Sequence, residues 1–70
     1  MIALNDIRKS SIVILRTNFG QGIAVRAIVD EVEEDVKNGQ PGLCYTICNA
    51  AAWDDGGWAY LTQVDRVVKY

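Results

Sequence analysis

Glycine-bearing turn signals break this chain at short, regular intervals, and that spacing constrains the fold more than any other feature. They are NFGQG at 18–22, KNGQPG at 37–42 and DDGG at 54–57. The runs between them are rich in Val, Ile, Thr, Tyr and Trp, the residues that suit a pleated, half-buried surface. Short apolar runs separated by turn chemistry point to an all-β domain rather than a helical one. With 70 residues there is room for one such domain, spanning 1–70. Half of the residues are hydrophobic, which is ample for a folded core. A chain this short still buries only about 60% of its unfolded surface, so a partner subunit is a plausible staple.

The runs divide into about five strands. Residues 11–17 (SIVILRT) form the first, with Val13 and Leu15 on the core face. Residues 23–36 form a long second strand on which Val25, Ala27 and Val29 share a face. The apolar register then shifts to Val32 and Val36. A β-bulge near Glu31 explains the shift and bends the strand. The alternative is a helical turn over Val32 to Lys37, stopped by Gly39. Asn38-Gly39 and Pro41-Gly42 are both turn dipeptides. Residues 43–49 form the third strand, with Leu43, Tyr45 and Ile47 inward. Asp54-Asp55-Gly56-Gly57 reads as a hairpin turn, residues 58–61 as the fourth strand, 62–64 as a 3₁₀ turn, and 65–69 as the fifth strand.

This layout resembles an SH3-like small β-barrel: a first strand, a glycine loop, a long bent strand, two hairpins, a short 3₁₀ turn and a last short strand. The carrying segments are NFGQG, KNGQPG before LCYT, and WAYLTQVDRVV. The pattern also resembles short uncharacterised proteins of bacteria and their phages. The resemblance implies a five-stranded SH3-like barrel. Such barrels serve as peptide binders, as KOW-type nucleic-acid binders, or as subunits of assemblies. The fold does not select among these roles.

The composition narrows the chemistry. There is no histidine, the usual acid–base group at neutral pH, and no nucleophile stands at a recognisable spacing from a base. The expectation is a non-enzyme with no cofactor and no metal. The acidic run at 30–35 does not follow a calcium-loop spacing. Cys44 and Cys48 stand four apart on one strand, about 13 Å between Cα atoms, too far for a disulfide. Free thiols suit a reducing compartment, and no stretch resembles a leader or a membrane span, so a cytoplasmic setting is expected.

The net charge is −2, yet five of the nine acids sit within 30–35. The rest of the chain is therefore mildly basic. A nucleic-acid reading, disfavoured by the net charge, requires Arg8, Lys9, Arg16, Arg26, Arg66 and Lys69 to gather on one face.

Two candidate surfaces follow. Trp58 and Tyr60 share one face of the fourth strand, and Ala59 and Leu61 the other. The bulk of the aromatic pair favours placing it in the core. Turned outward, it becomes a binding platform together with Trp53. The second surface is Ile12, Ile14 and Ile28, which alternation sends away from the core of neighbouring strands. Monomers rarely tolerate such an apolar cluster. It is either an interface for self-association or a protein partner, or it is covered by Ile2 and Leu4 from the N-terminal segment.

Overall fold

A computed structural model of the chain describes residues 2–16, 21–48 and 56–70. Trp53, Asp54, Asp55 and most of the NFGQG loop lie outside these residues. Among the described residues there are five strands: β1 (Ile12–Arg16), β2 (Ala24–Lys37), β3 (Gln40–Ile47), β4 (Gly56–Tyr60) and β5 (Val64–Lys69). Two 3₁₀ turns accompany them, at Leu4–Asp6 and, just before β5, at Leu61–Gln63. The strands form one antiparallel sheet in the order β4-β3-β2-β1-β5. The sheet is not closed: β4 and β5 are its two edges.

The length of β2 organises this sheet. Its first half pairs with β1 and its second half with β3. Between Val29↔Tyr45 and Glu31↔Cys44 the register slips by one residue, leaving Asp30 as the extra residue of a bulge. The slip keeps both Val29 and Val32 packed with the core. The helical alternative over 32–37 is corrected: these residues continue β2, because β3 supplies a ladder as far as Lys37↔Gln40.

The β2–β3 turn is the two-residue Asn38-Gly39. Both residues have positive φ, 55° and 74°, the pair of values a tight hairpin turn of matching twist requires. The Gly39 N–H also donates to Asp35 Oδ1 at 2.8 Å. Pro41-Gly42, expected to turn, lies instead inside β3, and Gly56-Gly57 lies inside β4. One turn dipeptide suffices for the hairpin. Pro41 falls at the irregularity between Glu33 and Lys37, where its missing N–H costs no ladder bond.

Alternation fixes the two faces. Val13, Leu15, Ala27, Val29 and Leu43 are at most 1% exposed and line the inner face. Ile7, Ala59, Leu61 and Val64 complete the buried cluster, with Ile2 and Leu4 packed against it. Trp58 and Tyr60 therefore point outward, correcting the expectation that they fill the core; Ala59 and Leu61 are the inward pair. The N-terminal segment supplies Ile7, Ile2 and Leu4 to the inner layer, so small Ala59 is enough on β4.

Among the described residues Ser11 is the buried polar one, and its bonds are complete. Its Oγ accepts from the Arg8 N–H and donates to the Tyr70 carbonyl, each at 2.9 Å. It thereby ties the lead-in segment to the end of β5. Gln63 does similar work nearby: its Oε1 accepts from the Tyr60 N–H, and its Nε2 donates to the Arg16 carbonyl.

Candidate functional site

The outer face of the sheet brings the two sequence-derived candidates onto one surface. In an antiparallel pair, residues directly opposite share a face. Ile12 pairs with Ile28, and Ile14 with Arg26, across β1 and β2. Ile28 pairs with Thr46 on β3, and Cys44 pairs with Trp58 on β4. On the other side Ile14 pairs with Arg66, and Ile12 with Lys69, on β5. The face thus reads, from one edge to the other, aromatic, polar, isoleucine, basic.

The three isoleucines are half-buried rather than fully exposed. Ile2 and Leu4 do not cover them, since both pack against the buried cluster on the opposite face. Val68 adds to the patch. It sits at the irregularity between Ile12↔Lys69 and Val13↔Val67, and it is 42% exposed. It is not among the sequence candidates because no face is assigned on the fifth strand.

Trp58 is 43% exposed. Its ring meets Tyr60 edge to face, with centroids 5.2 Å apart. The Lys37 ammonium lies 5.4 Å from the Trp58 ring centroid, within cation–π reach. This cluster stands at the acidic end of β2. There, Asp30 Oδ2 accepts from Thr46 Oγ1 at 2.7 Å, and Glu33 Oε2 accepts from the Cys44 thiol at 3.1 Å.

Basic residues gather on the opposite side. Arg26 and Arg66 flank Ile14, each one strand away, so their Cα atoms stand roughly 10 Å apart. Arg16 shares this half and is paired with Asp65 at 3.7 Å. Among the described residues, Arg26 and Arg66 have no carboxylate within ion-pair distance.

Cys44 is poorly suited to nucleophilic work. Its bond to Glu33, then burial, then the charges of Glu33, Asp30 and Glu31 all push the thiol above its ordinary range. The reactive thiolate is correspondingly scarce at neutral pH. Glu33→Gln is therefore expected to speed Cys44 alkylation several-fold at neutral pH, read by mass spectrometry of the Cys44 peptide. An unchanged rate would show that Glu33 does not govern the thiol. Because the folded state favours the protonated thiol, the bond's contribution to stability is present below the unfolded thiol pKa. It is lost as pH rises through the folded value.

A cavity of about 220 Å³ lies where β3 begins, lined by Ile2, Gln40, Pro41, Tyr60, Leu61 and Thr62. No carboxylate, thiol or amine side chain is in that lining. Among the described residues no group of three or more potential ligands could hold a metal ion, and no helix is long and apolar enough to cross a membrane. Comparison with protein-family models, with curated proteins and with solved structures finds no match to this chain.

Proposed function

We propose that this chain is a non-enzymatic interaction or assembly module of the cytoplasm, docking protein through the outer face of its sheet. The carrying observation is that Ile12 lies directly opposite Ile28, beside Ile14, on the face turned away from a core that is already filled. Apolar side chains there do little for folding, and a partner that desolvates them gains by the hydrophobic effect. Trp58 and Tyr60 extend the same face, and exposed aromatics are frequent anchors of binding energy. We further read the fold as an SH3-like small barrel opened between β4 and β5. The order β4-β3-β2-β1-β5 and the long bulged β2 support that reading, and so does the 3₁₀ turn before β5.

The test is Ile14→Glu. In dilute solution the variant is expected to unfold with a free energy within about 2 kcal/mol of wild type, and to lack the association expected of wild type by light scattering. A loss of several kcal/mol with unchanged association would make Ile14 a folding residue and end the docking reading. A second reading draws on Arg16, Arg26, Arg66 and Lys69, which register on one face: a KOW-like nucleic-acid binder. It requires binding of a labelled oligonucleotide that falls steeply with salt. No binding at low salt removes it.

A further inference from the structure

The charges around Ile28 are arranged so that the outer face complements itself. Arg26 lies two residues before Ile28 on β2, and Asp30 two residues after it, followed by Glu31. At strand spacing each charge stands about 6–7 Å from Ile28, on opposite sides. The row crossing the sheet through Ile28 is uncharged over three strands: Ile12, Ile28 and Thr46. Lys69 lies on the same row, but on the edge strand β5, where its long side chain is exposed and free to splay outward.

We infer that the occupant of this face is a second copy of the chain, packed face to face across a two-fold axis that crosses the strands at Ile28. The inference rests on the reading of the outer face as a docking surface. A two-fold contact matches a patch with itself. With the axis across the strands, Ile28 and Ile12 stack on their own counterparts. Arg26 of each copy then lies over Asp30 and Glu31 of the other. A two-fold running along β2 would instead place Arg26 on Arg26 and Asp30 on Asp30, with like charges opposed. The charge pattern selects the first arrangement and disfavours the second.

Two further observations agree. Arg26 and Glu31 have no ion-pair partner within the described residues, so each is available to the other copy. The size also fits. A stable interface takes about 800 Å² from each partner. The whole chain exposes 4697 Å² and measures 31 × 23 × 19 Å, so one broad face is of the required order.

Sedimentation equilibrium of four proteins tests the arrangement: wild type, Ile28→Glu, Arg26→Glu, and Arg26→Glu combined with Glu31→Arg. Circular dichroism of each verifies the fold. Wild type is expected at twice 7.7 kDa, and Ile28→Glu as a monomer. Arg26→Glu should weaken the dimer by at least about tenfold. The double reversal rebuilds the opposite-charge pair across the axis and should recover most of that loss. Arg26 and Glu31 are exposed, so the charge variants read the interface even if Ile28→Glu fails to fold. A monomeric wild type overturns the inference, as does a dimer indifferent to Arg26→Glu or a double variant no tighter than the single one. A monomeric wild type would still leave the docking face open to a different protein, whereas a collapse of stability in Ile14→Glu would remove the docking face itself.

Discussion

Gly42→Ala is expected to destabilise the protein by about 3 kcal/mol or more, beyond the usual range for adding one methyl group to a packed interior. Gly42 is buried in β3, opposite Tyr60 on β4 and Glu33 on β2. A Cβ there would fall on the Ala59 carbonyl oxygen and stand 2.5 Å from a Val36 methyl carbon. The first obstacle is backbone, so relief requires β4 to part from β3. A domain of this size holds only about 4–10 kcal/mol in total, and the loss should appear as a large fall in urea midpoint. Gly39→Ala in the neighbouring turn is the control. Open space surrounds Gly39, and only its φ of 74° opposes a side chain, at a cost of about 1–2 kcal/mol. Equal effects at the two glycines would contradict the close approach of β4 to β3.

Leu15→Ala carries the second large effect, a loss of about 3 kcal/mol from lost burial and the cavity left behind. Leu15 is 1% exposed and packs in the core formed by Val13, Val29 and Leu43. Ile14, one residue earlier, faces the other way and is half-buried. Ile14→Ala should cost about 1 kcal/mol in dilute solution, where association does not contribute. Denaturant unfolding of the two variants, side by side, measures the face assignment of β1 directly. Similar losses at both positions would mean that both faces of β1 are core.

Strand alternation carried the reading of β1 and β2 from residues alone. Val13, Leu15, Ala27 and Val29 stand where period two places them, and the slip from Val29 to Val32 marks the bulge at Asp30. Other features depend on contacts distant in sequence. Whether Trp58 or Ala59 turns inward depends on how much apolar volume arrives from elsewhere. Ile7 and its neighbours fill that space from the lead-in segment, which the periodicity of β4 does not contain. Pro41-Gly42 has turn chemistry, yet the hairpin needs only Asn38-Gly39, and Gly42 serves the close approach of β4 instead.

The candidate surface divides in the same way. Ile12, Ile14 and Ile28 follow from alternation. The placement of Arg26 and Arg66 on either side of Ile14 follows only from the pairing of β1 with both β2 and β5. The pairing with β5 joins residues about fifty apart, such as Ile14 and Arg66, and no local pattern encodes it. The polarity of the outer face, basic toward β5 and acidic toward the end of β2, is likewise a product of register.

The most direct test of the outer face as an interface is the concentration dependence of the isoleucine δ1-methyl resonances, compared between micromolar and millimolar protein. The methyls of Ile12, Ile14 and Ile28 are expected to shift together as the face becomes covered, while buried Ile7 holds its position. Methyls that stay fixed throughout, or shifts confined to Ile2 and Ile23, would contradict a second copy seated on this face.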